Sequence, residues 1–191
     1  MTIKTKQKQP YMPKNIIFIG PMGAGKTTIG RLLAKALNRE FFDSDREIEK
    51  HTGTTIPVIF ELEKEAGFRL RESAMIEALT KNHAGNNGEA SHIVLATGGG
   101  VVLSEKNRRC LAANGHVIYL CAPIEQLVKR TARDHNRPLL QTDDPHKTIE
   151  TILKVRDPLY REVADTIIET STHSVRQVVS KIQKLVKKLA L

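Results

Sequence analysis

The sequence predicts an α/β fold in which a five-stranded parallel β-sheet carries helices on both faces. Five short β-rich runs recur along the chain, at residues 15–20, 40–43, 92–97, 116–120 and 165–170. They are mostly continuous in apolar character rather than alternating, which is typical of strands covered on both faces. Helical segments lie between them, and 191 residues suffice for one domain with a core but not comfortably for two.

The composition is that of an ordinary globular protein, with 40% hydrophobic and 27% charged residues. Aromatic residues make up only 4% and Trp is absent, so stacking platforms for single-stranded nucleic acid are not evident. No apolar run is long enough to span a bilayer. Cys110 and Cys121 lack metal-ligand spacing and are interpreted as free thiols. We therefore expect a cytoplasmic monomer that binds neither membrane nor nucleic acid.

The net charge of +9 is concentrated at the two ends of the chain. Residues 1–39 contain eight Lys or Arg and no acid, residues 171–191 contain five and no acid, and the middle of the chain is slightly acidic. Basic charge near a phosphate-binding loop attracts a polyanion such as ATP, and a nucleic-acid patch is the alternative. Residues 1–14 are predicted to form a disordered basic tail before a single domain at 15–191.

The first strand leads into GPMGAGKT, Gly20 to Thr27, which fits the phosphate-loop pattern G-x-x-x-x-G-K-[ST] without mismatch. Glycines let backbone N–H groups turn inward around phosphate oxygens, and the N-terminus of the next helix adds positive charge. Lys26 reaches the terminal phosphates and the Thr27 hydroxyl ligates Mg²⁺. The predicted nucleotide-binding residues in this segment are Gly23, Ala24, Gly25, Lys26, Thr27 and Thr28. An apolar stripe predicts a helix from Lys26 to Leu37 that ends at Asn38.

The second strand is followed by Asp43, Ser44 and Asp45. In a parallel sheet these residues lie at the same edge as the phosphate loop. Asp43 then suits the water shell of the metal, and Asp45 reaches past the terminal phosphate toward an acceptor hydroxyl. The alternative is a helix N-cap formed by Ser44 or Asp45, and the local pattern does not decide between the two interpretations.

The segment after the second strand contains Arg69 and, three residues later, Glu72. On a helix this spacing places the Glu72 carboxylate beside the Arg69 guanidinium and fixes the orientation of the guanidinium. With Arg137 and Arg156, Arg69 forms a set of arginines that a nucleotide alone does not explain, and the set favours a second, anionic ligand.

The third strand ends in Thr97 and three glycines, Gly98, Gly99 and Gly100. No magnesium-binding acid follows this strand, so the strand end offers space and exposed N–H groups.

The second half of the chain continues the alternation of strands and helices. A helix at 104–115 opens with the Ser104 cap and stops at Gly115, and a further helix runs from Pro123 to about 133. The segments 82–91 and 133–145 are predicted to be loops, the second a mobile lid that contains Arg137. A last helix from about Ser174 has one apolar face, which favours packing on the sheet over the alternative of a membrane surface.

Taken in order and at these distances, six segments resemble the shikimate kinase family: GPMGAGKTTIGRLLA, FDSD, GFRLRE, LATGGGVV, RDHNRPLL and RDPLYREVAD. The resemblance implies a P-loop NTPase fold of the nucleoside monophosphate kinase type. It implies transfer of the γ-phosphoryl group of MgATP to the 3-hydroxyl of shikimate in the route to chorismate and the aromatic amino acids.

The resemblance also implies a role for each matching residue. Asp45 matches the acid that binds the shikimate hydroxyls, and Arg69 and Arg156 match the arginines that hold the carboxylate. Gly99 matches the glycine whose backbone meets the substrate, and its neighbours Gly98 and Gly100 are assigned to the substrate with it. A Cβ there would collide with the substrate ring, so we expect Gly99→Ala to keep ATP affinity and to lose shikimate affinity. Arg137 matches the lid arginine over ATP. Thr27 stands where a serine is common and keeps the hydroxyl, with Asp43 near the metal through water. His173 falls near the expected adenine contacts, but no role is assigned to it.

Two other functions were weighed against this interpretation. The alternative of a kinase for gluconate or a nucleotide does not explain the paired arginines or the triglycine. A nucleotide-binding or RNA-associated module that uses the basic chain ends leaves Asp43, Asp45 and the lid unexplained.

Overall fold

The computed structural model describes residues 15–81, 92–132 and 144–189. Its five strands are β1 (Ile16–Ile19), β2 (Phe41–Asp43), β3 (Val94–Ala96), β4 (His116–Cys121) and β5 (Thr166–Glu169). They form one parallel sheet in the order β2-β3-β1-β4-β5. All five predicted strands are therefore confirmed, each within two residues of its predicted ends.

In the described parts of the chain, the helices that connect and cover these strands are α1 (Lys26–Leu37), α2 (Ser44–Thr52), α3 (Ile56–Lys81), α4 (Glu105–Asn114), α5 (Ile124–Thr131), α6 (Pro145–Val163) and α7 (Val175–Leu189). A short 3₁₀ turn, Val101–Leu103, follows β3. The predicted bounds of α1 are confirmed, and Asn38 ends it in the left-handed conformation. The Ser104 hydroxyl caps α4 by accepting a hydrogen bond from the Asn107 amide, as predicted.

The sheet has an apolar core on each face. Successive β1 side chains point to opposite faces, so Ile16 and Phe18 belong to one core while Ile17 and Ile19 belong to the other. Side chains of α1, α5 and α7 fill the first core, and side chains of α3, α4 and α6 fill the second. Helices on both faces, as predicted, leave the carboxyl ends of the strands as the open edge of the sheet.

Helix α7 closes the sheet rather than lying on a membrane. Val178, Ile182 and Val186 are buried in the core beside α1, whereas Lys181 and Lys184 are exposed. Within the described residues, no helix is long and apolar enough to cross a bilayer. Cys110 and Cys121 are free and partly buried, as predicted.

Two helices contain backbone features that the local sequence pattern does not predict. Pro158 lies inside α6, where it removes one helical hydrogen bond. Lys64 interrupts α3 with φ 60° and ψ −175°, so the chain turns there between two helical stretches. The predicted tail at 1–14, the loop at 82–91 and residues 133–143 of the lid lie outside the described residues. The last two lid residues, Asp144 and Pro145, begin α6 instead, with the Asp144 carboxylate accepting the Lys147 amide.

Candidate active site

The phosphate loop joins β1 to α1, and its glycines adopt the backbone conformations that the motif predicts. Gly20, Gly23 and Gly25 all have φ between 77° and 136°, a region that side chains disfavour. At Gly20 a Cβ would also lie 2.3 Å from the Leu120 carbonyl oxygen. The loop is therefore built from glycine because both the turn and the approach of β4 require it.

Lys26 and Thr27 take positions at the start of α1 that suit a phosphate and a metal. The Lys26 ammonium is buried and donates to the carbonyl oxygens of Gly20 and Pro21, at 2.7 and 2.8 Å. The Thr27 hydroxyl donates to the Asp43 carboxylate at 2.7 Å, so the predicted metal pair is in direct contact. The Lys26 side chain therefore lies within the loop, held by two of its carbonyl groups.

A cavity of about 430 Å³ opens beside the loop, and all six predicted nucleotide-binding residues from Gly23 to Thr28 line it. The lining also includes Arg130 and Thr170, which no sequence pattern predicts, and His173, which the resemblance places near the adenine contacts without assigning it a role. Arg130 donates to the carbonyl oxygens of Gly23 and Thr170 and to the Thr170 hydroxyl. The guanidinium thus ties the loop to the segment after β5, and His173 completes the wall.

Helix α2 begins at Ser44, so the alternative in which Ser44 or Asp45 caps it is wrong. Asp43 occupies the cap position, and its side chain makes no capping bond because it accepts from Thr27 instead. The Ser44 hydroxyl accepts from the Gly98 amide at 3.0 Å. This bond draws the first turn of α2 against the triglycine, and Asp45 lies half-buried next to it.

Arg69 and Glu72 form the predicted pair on α3. The Arg69 Nη1 donates to Glu72 Oε2 at 2.8 Å, and Glu65, one turn earlier, accepts from Nε and Nη2. Burial raises the pKa of Glu72, with Arg69 and then Arg156 opposing that shift and Asp45 adding to it. Two acids, Asp45 and Glu72, and two arginines, Arg69 and Arg156, are therefore close enough to interact, and they surround one volume next to the triglycine.

Glu72 has one carboxylate oxygen that points into this volume. Its side chain is fully buried, and Oε1 has no hydrogen-bond partner within the described residues. A Cβ added at Gly98 would lie 3.1 Å from this oxygen and 2.6 Å from Asp45 Oδ1. Asp45 and Glu72 therefore meet at Gly98, where a polar ligand would find two acceptors.

The three glycines leave room for different neighbours. A Cβ at Gly98 would strike Asp45, and one at Gly100 would lie 2.4 Å from the Arg69 guanidinium. A Cβ at Gly99 would instead meet Gly20 O and Met22 N at 3.5 and 3.6 Å, which is ordinary contact. Neighbouring protein atoms therefore require glycine at positions 98 and 100 but not at position 99. The expected effect of Gly99→Ala on substrate affinity remains a prediction.

Arg156 enters the same volume from α6. It is only 9% exposed and lies beside Tyr160, whose phenol donates its proton to the Gly99 carbonyl oxygen at 2.5 Å. The structure therefore brings together Asp45, Arg69, Arg156 and the triglycine as predicted, beside the phosphate loop. Arg137 lies outside the described residues.

A phosphate loop with a paired hydroxyl and carboxylate, next to a pocket of arginines and acids, defines a class of protein. It is a P-loop phosphotransferase with the fold of the nucleoside monophosphate kinases, the fold that the sequence analysis expected. Comparison with known proteins identifies the family. Residues 22–187 match the family model described as shikimate kinase, and the chain belongs to the shikimate kinase family.

Individual relatives agree with this assignment. A shikimate kinase from Methylococcus capsulatus is 56% identical over 169 residues, which cover 88% of this chain and 90% of the relative. A shikimate kinase from Pseudomonas syringae pv. tomato is also 56% identical, and the match covers 88% of this chain and 94% of the relative. The solved structure of shikimate kinase from Acinetobacter baumannii in complex with shikimate superimposes with a TM-score of 0.85 at 49% identity, over 95% of this chain and 97% of that chain.

Proposed function

We propose that this protein transfers the γ-phosphoryl group of ATP to the 3-hydroxyl of shikimate, giving 3-phosphoshikimate and ADP for the synthesis of chorismate and the aromatic amino acids. The observation that carries the proposal is the placement of Asp45, Arg69 and Arg156 around the triglycine, beside the phosphate loop. Shikimate is a small anion with three hydroxyls, so it needs cations for its carboxylate and an acceptor for its hydroxyls.

The nucleotide side of the site supplies positioning and charge. Backbone amides of the loop and the N-terminus of α1 face the phosphates, and Lys26 moves from its carbonyl partners to a phosphate oxygen. Arg130 and His173 border the cavity into which the rest of the nucleotide extends. The lid arginine, Arg137, is proposed to cover the phosphates.

The residues present fit a magnesium ion that arrives with the nucleotide. Mg²⁺ prefers hard oxygen ligands and is usually held by one or two protein oxygens together with phosphates and water. The Thr27 hydroxyl and the Asp43 carboxylate, 2.7 Å apart at the phosphate loop, are such a pair. When bound there, the ion neutralises charge on the phosphates. Among the described residues no group of three or more His, Cys, Asp or Glu forms a separate metal site.

On the acceptor side each residue has one task. Arg69, oriented by Glu72, and Arg156, which lies beside Tyr160, hold the carboxylate of the substrate. Asp45 accepts a hydrogen bond from the acceptor hydroxyl, orients its oxygen toward the γ-phosphate and is placed to receive its proton. Such transfer relies on positioning and charge neutralisation, which is what this set of residues offers.

A coupled ADP-release assay tests the proposal with four acceptors: shikimate, shikimate methyl ester, gluconate and a nucleoside monophosphate. We expect turnover with shikimate and a KM raised at least about tenfold for the ester, since the ester lacks the charge that the arginines bind. Turnover with gluconate or the nucleotide alone would assign the protein to another kinase activity. ATP binding without ADP release for any acceptor would favour a binding module.

A further inference from the structure

The hydroxyl of Tyr160 joins the two chain segments that form the acceptor pocket. Tyr160 is fully buried on α6, and its hydroxyl donates to the Gly99 carbonyl oxygen at 2.5 Å. The Arg156 guanidinium lies beside this hydroxyl, because residues 156 and 160 are one helical turn apart on α6, and its charge acts on the phenol. One phenol group therefore connects a substrate-binding arginine on α6 with the glycine turn after β3.

The phenol is suited to remain a donor. Burial raises the pKa of Tyr160 to about 12, with the opposing effect of Arg156 the next in size. The group stays protonated at neutral pH, so its single proton serves the Gly99 carbonyl and its oxygen remains an acceptor beside the guanidinium. The bond to Gly99 therefore has a fixed direction and does not compete with the neighbouring cation.

We propose that Tyr160 is a positioning residue for phosphoryl transfer: its hydroxyl sets the place of the Arg156 guanidinium relative to Gly99, and so the geometry with which the acceptor carboxylate is held. The proposal rests on the proposed function, because it assigns Arg156 and Gly99 to the acceptor. Tyr160 acts through these two groups and does not itself bind the substrate.

Tyr119 provides a matched control inside the same core. It lies on β4, is 1% exposed and stacks on the Tyr160 ring with centroids 4.9 Å apart. Its hydroxyl donates to Asp157 at 2.6 Å, away from the Arg156–Gly99 link, and Arg161 binds the other oxygen of that carboxylate. Replacing either tyrosine with phenylalanine removes one buried hydroxyl from the same stack.

The experiment compares Tyr160→Phe with Tyr119→Phe in steady-state kinetics and thermal unfolding. We expect Tyr160→Phe to raise the KM for shikimate about tenfold, as loss of a buried hydrogen bond does, and to change the KM for ATP less than about twofold. Tyr119→Phe should leave both KM values within about twofold even if it lowers Tm equally. An equal effect of both substitutions on the shikimate KM, or a Tyr160→Phe enzyme with unchanged KM, would overturn the proposal.

A double substitution tests whether Tyr160 works through Arg156. In an Arg156→Ala background, Tyr160→Phe should add less than about twofold to the shikimate KM, because the group it positions is gone. A further tenfold rise would contradict the mechanism. Wild-type enzyme that fails to phosphorylate shikimate would refute the proposed function itself, which is a different outcome.

Should Tyr160→Phe fail to fold, fluorine NMR keeps the proposal testable. The chain contains three tyrosines, so 3-fluorotyrosine in the Tyr119→Phe protein labels only Tyr11 and Tyr160. Saturating shikimate should shift the Tyr160 resonance, since the carboxylate engages the guanidinium beside this phenol, and ADP alone should not. A resonance that is unchanged by shikimate would count against the proposal.

Discussion

Arg69 and Glu72 form an ion pair one helical turn apart on α3, in which Glu72 is 1% exposed and Arg69 is 21% exposed. A buried carboxylate that binds a partly exposed arginine fixes the direction of the guanidinium while leaving part of it open to a ligand. The Cβ position of Gly100 lies against the same guanidinium. The pair therefore marks the acceptor side of the site and sets up the first prediction.

Arg69→Ala should raise the KM for shikimate by about 10- to 100-fold, because one charged hydrogen bond is lost. The KM for ATP should change little, as Arg69 does not line the nucleotide cavity. Arg71→Ala is the control: Arg71 pairs with Glu63 on an exposed part of the same helix. Steady-state kinetics with each substrate varied would measure both, and an unchanged shikimate KM would remove Arg69 from the carboxylate site.

Asp45→Asn should abolish turnover while ATP still binds. The amide keeps the shape of the side chain but loses the charge that orients the acceptor hydroxyl and receives its proton. Titration calorimetry with ATP and ADP-release assays would separate binding from chemistry. Glu47→Gln, which removes a carboxylate from the same helix, should remain active. Turnover retained by Asp45→Asn would defeat the assigned role.

The three glycines should respond differently to alanine. Gly98→Ala and Gly100→Ala place a Cβ at 2.6 and 2.4 Å from Asp45 and Arg69, so both should lose shikimate affinity through displacement of those side chains. Gly99→Ala has room in the protein itself, so a loss of shikimate affinity in that variant reports contact with the substrate. Affinity for ATP should be kept in all three. Normal shikimate affinity in Gly98→Ala would show that Asp45 can move without cost.

The fold and the core of the site follow from local patterns in the sequence. The strands, the phosphate loop and the Arg69–Glu72 pair each depend on residues a few positions apart, so periodicity and spacing predict them. The contacts of Arg130 with Gly23 and of Tyr160 with Gly99 join residues 107 and 61 positions apart. Such contacts depend on how the sheet brings distant segments together, and no local pattern carries them.

A backbone feature of α6 escaped prediction for a related reason. Pro158 disfavours a helix interior by about 3 kcal/mol, yet α6 continues because Tyr160 is buried beyond the proline and Asp157 bonds Tyr119 beside it. Tertiary packing thus outweighs local preference at this point.

The stability of the fold should depend on pH through His116, at the start of β4. Burial lowers the pKa of His116 below 6.5, and Asp165, with 3.8 Å between Nδ1 and the carboxylate, opposes the shift. Below its unfolded-state pKa the unfolded chain binds more protons at this group than the folded chain. The free energy of unfolding should therefore fall as pH falls below about 6.5, until the folded-state pKa is passed.

His116→Gln tests this dependence. Urea unfolding between about pH 7 and pH 5.5 should give a weaker pH slope in the variant than in the wild type. The His116 ring also bonds the Thr166 hydroxyl at 2.9 Å, so a uniform loss of stability at every pH is expected in addition. His51→Gln, at an exposed position, is the control. An unchanged slope in His116→Gln would show that other groups set the pH dependence.

Lys64→Gly should stabilise the protein, although glycine usually destabilises helices. Lys64 has φ 60° and ψ −175°, a region almost reserved for glycine, and holding another residue there costs about 1–3 kcal/mol. The extra chain entropy of glycine costs about 0.5–1 kcal/mol, so a net gain near 1 kcal/mol and a Tm increase of about 2–4 °C are expected. Lys184→Gly, in the regular helix α7, should lower Tm instead. Calorimetry of the two variants would decide, and equal losses in both would show that the turn at Lys64 stores no strain.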